Sequence, residues 1–155
     1  MVKIVTDSTS DLPHEVAKAL GIIVVPAYVH FGDKSYRDGV DIGPDELYQR
    51  MLDGPVHPTT SAPAPGDFAE AYGKLAQETD EIVSIVVTSK QSAVYDSALM
   101  GRESLKQKCR VEVIDSQSTT MGLGLMAILA AKKAKAGARM EEVVEAVREA
   151  IPRTH

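Results

Sequence analysis

No tryptophan occurs in this chain, and it holds only two phenylalanines and five tyrosines. A core without large aromatics has to be filled by aliphatic side chains, so the fold must be read from Val, Ile, Leu, Ala and Met patterns. The single cysteine, Cys109, excludes an internal disulfide framework and fits a reducing compartment. It stands in KQKCRVEVI just before a strand-like run, where an inert, half-buried thiol is expected rather than a reactive one. A basic excess is also missing: 17 Lys and Arg against 22 Asp and Glu leave a net charge of -5. Nucleic acid and anionic membranes need a basic footprint, so neither is expected as the main partner. The longest nearly apolar stretch, 121–131, is too short to span a bilayer. The opening MVKIVTDS runs straight into a strand without a signal-peptide core, so a cytoplasmic location is expected. Finally, His14, His30, His57 and His155 show no metal-ligand spacing among themselves or with Cys109, and neither a metal nor a cofactor is expected.

What remains is an ordinary globular composition, 44% apolar and 25% charged over 155 residues, enough for one domain burying roughly 70% of its unfolded surface. Residues 2–5 form a short apolar run that opens into the polar TDSTSD, a buried strand entering a loop. Pro13 starts a helix with Val16, Ala17 and Leu20 on one face, and Gly21 ends it. Residues 22–31 read as a second strand with a bulge or an edge at Pro26, followed by the turn-rich GDKSYRDG. A short helix over 44–52 is expected to bury Leu47, Tyr48, Met51 and Leu52. Residues 53–66 hold four prolines and read as a long loop, a feature usually functional in a compact domain.

The second half repeats the alternation. A helix carries Phe68, Ala71, Tyr72, Leu75 and Ala76; a strand over 81–87 opens into TSKQSAVYDSA; a helix buries Val94, Tyr95, Ala98 and Leu99. A strand over 111–114 leads into DSQSTTMG, and the helix after it, to about 136, is apolar almost all round. Met140, Val143, Val144, Val147 and Ile151 complete an amphipathic helix. Strands alternating with helices predict a three-layer α/β/α domain with a mainly parallel sheet. Ligands in such sheets sit beyond the carboxyl ends of the strands. There this chain keeps its hydroxyls: Thr6, Ser8, Thr9 and Ser10, then Thr88, Ser89 and Ser92, then Ser116, Ser118, Thr119 and Thr120. Helix capping is an alternative reading of Asp11 and Ser92, but it does not account for clusters in several loops that meet at one end of the sheet. Hydroxyls beside helix N-termini suit a carboxylate or a phosphate.

Two other chemistries can be drawn. Ser92, His57 and Asp7 are the parts of a nucleophilic triad, which would make the protein a small serine hydrolase acting on an ester or acyl substrate. No G-x-S-x-G elbow supports it. Gly122, Gly124 and Ala127 match G-x-G-x-x-A, but inside a helix and without a completing strand, so close packing of a buried helix explains them better.

Taken together, IVTDSTSDLP, YRDGVDI, HPTTSAPAPGDF, VTSKQSAVYDSA and VEVIDSQSTTMGLG resemble, in order and over the whole chain, the motifs of the DegV family of fatty-acid-binding proteins. Thr60 and Ser61 stand at the T-S places of its T-S-Q-P loop, where Ala62 replaces Gln; Gln91, Ala93 and Val94 depart from its pattern around Ser92. The resemblance implies a non-catalytic lipid-binding protein that holds a long-chain fatty acid such as palmitate and presents its carboxylate to a separate fatty acid kinase. It implies Thr60 and Ser92 as carboxylate donors and Ser61 as a secondary candidate, with an apolar tunnel along the helix at 121–131, for which a packed core is the alternative. It implies also that residues 1–155 correspond to the amino-terminal domain, the family's second domain being absent, so that weaker binding than in a two-domain relative is expected.

Overall fold

The computed structural model describes residues 1–154. In chain order it contains β1 (Lys3–Asp7), α1 (His14–Leu20), β2 (Ile22–Val25), β3 (Tyr28–Phe31), β4 (Lys34–Arg37), α2 (Pro44–Asp53), β5 (Thr59–Ser61), α3 (Pro65–Leu75), β6 (Glu81–Val86), α4 (Val94–Glu103), β7 (Arg110–Asp115), α5 (Thr120–Lys135) and α6 (Met140–Ala150). Short aliphatic runs make the four strands of the main sheet, in the order β2-β1-β6-β7, and every pairing is parallel. Both faces are covered, by α3 and α4 on one side and by α1, α5 and α6 on the other. This is the three-layer α/β/α architecture expected from the alternation of strands and helices.

Close approach of the layers depends on small residues. A Cβ on Gly101 of α4 would lie 2.6 Å from Phe68 Cβ and 2.8 Å from the Pro65 carbonyl oxygen of α3. A Cβ on Gly124 of α5 would lie 2.5 Å from the Ser10 carbonyl oxygen. The packing role read for the glycines of α5 is therefore observed. The rest of that helix corrects an expectation: Leu123, Met126, Ala127, Ala130 and Ala131 are buried within the continuous core. That face of α5 is packed against β1 and β6; of its other apolar side chains, Met121 and Leu125 are exposed and Ile128 and Leu129 half-buried, all outside the core.

The run over 22–31 is two strands, not one. Pro26 has no amide hydrogen for a ladder, and β3 leaves the parallel sheet to enter a second one. That sheet is three-stranded and antiparallel, in the order β4-β3-β5. Gly32 turns the β3–β4 hairpin at φ 57°, and β5 comes from the segment read as a loop. On this sheet α2 places Arg50, which with Leu47 is one of its two half-buried residues. The Arg50 guanidinium sits 4.6 Å from the Tyr36 ring centre and 5.7 Å from that of Phe31, and donates to the Tyr36 hydroxyl at 2.8 Å. Such stacking buries the arginine stem while the charge keeps its partners. The expected burial of Tyr48, Met51 and Leu52 is overturned: all three are exposed, and no residue of α2 is fully buried.

Candidate functional site

In the sheet order, β1 leads outward to β2 and β6 leads outward to β7 in the opposite direction, so the chain switches direction between β1 and β6. The crevice beyond the carboxyl ends of two such strands is the usual ligand site of an open parallel sheet. Here it is bridged by Asp7. One carboxylate oxygen accepts the Val87 amide at 2.9 Å, and the other accepts both the amide (3.0 Å) and the hydroxyl of Thr9. Burial pushes the Asp7 carboxyl above its ordinary 3.8, against the lowering effect of these donors. The side chain ties the ends of β1 and β6 together.

Several of the neighbouring hydroxyls also tie loops together. Ser8 accepts the Ala27 amide at 3.0 Å and so fixes the start of β3. Ser89 donates to Asp115 at 2.5 Å, joining the loop after β6 to the end of β7. Ser116 donates to the Ser118 carbonyl at 3.1 Å. Asp11 does not cap α1, whose first turn has no side-chain cap; it adopts a left-handed φ of 50° after the Ser8–Ser10 turn. Gln117 and Thr120, at φ 52° and 51°, are likewise left-handed without being glycine. Three such residues in the carboxyl-end loops mark strained backbone, which the surrounding packing must hold. Among the described residues the buried hydroxyls of Thr6 and Ser10 have no hydrogen-bond partner.

Ser92, like Ser8, accepts without donating. It lies half-buried between β6 and α4, and its oxygen accepts the Val94 amide at a long 3.4 Å, so its own proton is not used in that bond. This is a weak form of the capping considered from the sequence. Thr60 and Ser61 come to the same end of the molecule, since Ser61 pairs with Tyr28, three residues beyond the end of β2. Side chains alternate along a strand, and cross-strand partners share a face. Thr60, opposite Val29, therefore points to the face of Tyr36 and Phe31, where α2 docks. Ser61, opposite Tyr28, points to the other face. Its hydroxyl lies 2.9 Å from His30 Nε2, whose Nδ1 lies 2.7 Å from Ser35 Oγ. Thr60 and Ser61 are thus on opposite sides of the small sheet. Sequence reasoning did not find His30 as the link between Ser61 and Ser35. The one available signal was the Gly32–Asp33 pair between YVHF and KSYR, a two-residue hairpin cue.

Nothing assembles the drawn triad. Among the described residues no hydrogen bond joins Ser92, His57 and Asp7, and both Asp7 oxygens are already committed. No group of His, Cys, Asp and Glu able to hold a metal occurs among the described residues. Nor, among them, is any helix long and apolar enough to cross a membrane. Cys109 is half-buried, and burial pushes its thiol up, which makes it less reactive.

The family model described as an uncharacterised protein of the DegV family matches residues 1–155. A DegV domain-containing protein of Caldanaerobacter subterraneus subsp. tengcongensis is 43% identical over 152 residues, covering 98% of this chain and 54% of that protein. A DegV domain-containing protein of Deinococcus radiodurans is 36% identical, covering 97% and 53%. The chain spans about half the length of the curated relatives it matches. Among solved structures, a fatty-acid-binding DegV family protein from Thermus thermophilus superposes with a TM-score of 0.87 at 35% identity, covering 97% of this chain and 53% of its own. A stearic acid-binding protein from Eubacterium ventriosum gives 0.88 at 31%, covering 96% and 52%.

Proposed function

The chain belongs to the DegV family, and from that membership we propose that it binds a long-chain fatty acid such as palmitate, with Thr60 and Ser92 donating to the carboxylate. The observation that carries this reading is access at the two motif positions: Ser92 only accepts, from the Val94 amide, so its proton is not used in that bond, and Thr60 stands exposed. Solved relatives that bind fatty acids support the ligand class. Ser61, secondary from the sequence, is occupied by His30 on the opposite face of β5.

A fatty acid needs two unlike surfaces. Sixteen carbons at about 0.8 kcal/mol per methylene offer roughly 12 kcal/mol gross, of which association and ordering take back about 4–15 kcal/mol. With the inner face of α5 packed as core, the apolar contacts this chain can offer on α5 are Met121, Leu125, Ile128 and Leu129. The head group must keep its donors, because an unpaired buried carboxylate is very unfavourable. The protein itself performs no phosphoryl transfer in this reading; it holds the carboxylate for a separate fatty acid kinase.

Calorimetry with palmitate tests it. Each hydrogen bond to a charged group contributes about 1.5–3 kcal/mol, so Thr60→Val with Ser92→Ala is expected to weaken binding by about 100-fold or more. Tight binding that survives the double substitution would place the carboxylate elsewhere. Covalent labelling of Ser92 by a fluorophosphonate would instead support the hydrolase.

A further inference from the structure

β5 is a poor platform for a binding residue. It has three residues, all exposed, and forms the edge of its sheet, paired only to β3. Short edge strands with exposed hydrogen bonds open most readily in a folded protein. On its carboxyl side the chain is held where the Tyr28 hydroxyl meets both oxygens of Asp67 at 3.2 Å, and where Asp67 accepts the Ala64 amide at 2.8 Å. Within β5 itself the side-chain tie is His30. Its two ring nitrogens reach Ser61 on β5 and Ser35 on β4, so one imidazole on the central strand staples all three strands.

We propose that His30 is a positioning residue for Thr60: by holding Ser61 against β3 it fixes the strand from which Thr60 projects, on the opposite face, toward the head group. The two ring nitrogens diverge, so the histidine can bridge both edges of its strand, which a hydroxyl or a short amide cannot do. Spending the Ser61 hydroxyl in this strut leaves Thr60 as the donor that β5 offers on its opposite face. The inference rests on the reading that a fatty-acid carboxylate binds at Thr60.

The test is palmitate calorimetry on His30→Ala, Ser61→Ala and His30→Gln, each also in a Thr60→Val background, with methyl palmitate as the ligand lacking the charge. His30→Ala and Ser61→Ala are each expected to weaken palmitate roughly tenfold, within the range of couplings between contacting residues. Together they should do no more than either alone. His30→Gln, which can keep one of the two bonds, should fall between His30→Ala and wild type. In the Thr60→Val background all three should have no further effect, and methyl palmitate affinity should not change. Equal losses for palmitate and its ester would make the histidine merely structural and overturn the inference. Additive losses for His30→Ala and Ser61→Ala would overturn it too, because Ser61 would then be donating directly. Wild-type protein that binds palmitate indifferently to His30→Ala overturns this inference alone. Wild-type protein that binds no palmitate overturns the proposed function and the inference with it.

Discussion

The two sheets of this molecule are built on opposite terms. The parallel sheet is lined by Ile4, Val5, Ile82, Val83, Ile85 and Val86, none more than 2% exposed, and is covered on both faces. The antiparallel sheet buries Val29 but carries an edge strand exposed at every residue, and its covering helix leaves Tyr48, Met51 and Leu52 exposed. Val29 and Ile42, though buried, stand outside the main core, as a small satellite under α2. Aliphatic burial holds the first region; a histidine bridge, a stacked arginine and a tyrosine–aspartate contact position the second. The region that carries Thr60 is therefore the one with the least hydrophobic support. Binding loops are commonly drawn from the low-stability end of a fold.

The largest expected effect separates the regions directly. Phe68, fully buried between α3 and α4, should cost about 3–5 kcal/mol when replaced by Ala. Leu52, 82% exposed on α2, should change stability by no more than about 0.5 kcal/mol on the same substitution. Urea unfolding midpoints compare them. A large loss for Leu52→Ala would mean that the outer face of α2 is covered in solution, and dependence on protein concentration would then identify self-association as the cause.

The same contrast explains what could be read from the sequence. The parallel sheet was legible because period and burial agree there: aliphatic runs at 2–5, 81–87 and 111–114 admit one interpretation, and Gly21 ends α1 in the left-handed conformation that favours glycine. The small sheet was not legible. Its strands are short, and β5 is the polar Thr59–Ser61, with no hydrophobic alternation to reveal it. For α2 the apolar spacing predicted a buried face, but the direction a helix faces depends on what it meets. It meets Tyr36 and Phe31, which Arg50 covers. At the site, the resemblance to the DegV motifs pointed to Thr60 and Ser92, while the pairing of Ser61 with His30 is a long-range contact that no local pattern encodes.

A middle-sized effect tests how the main sheet closes at its carboxyl end. Asp7 accepts two amides and a hydroxyl, whereas an asparagine offers one acceptor oxygen and turns a donor toward either Thr9 or Val87. Asp7→Asn should therefore destabilise by about 1–3 kcal/mol. The pH dependence has a definite sign. Burial raises the folded carboxyl above its ordinary 3.8, so its contribution is complete below that value and is lost as pH rises through the folded one. The asparagine does not titrate, so the stability gap between wild type and variant should narrow as pH rises. A gap that widened would mean that the three donors hold the anion more strongly than burial opposes it.

The smallest effect belongs to the exposed hairpin. Asp41 accepts the Arg37 guanidinium through both oxygens, at 2.8 and 2.9 Å, and also the Arg37 amide at 2.9 Å. These bonds lower its carboxyl from the ordinary 3.8 to about 2, the guanidinium contributing most and the amide next. A lowered carboxyl stabilises the fold above its unfolded value, and that contribution fades as pH falls from 3.8 through about 2. Both side chains are exposed, and solvent screens such pairs, so global stability should barely register the change. The carboxyl carbon of Asp41 should report it by NMR, with a midpoint near 2 in the wild type. In Arg37→Gln the guanidinium is gone but the amide of residue 37 still donates, so the midpoint should rise and yet stop short of 3.8. Return to the full ordinary value would show that the arginine also holds the backbone turn in place. No movement would show that the amide alone sets the titration and that the ion pair adds nothing in solution.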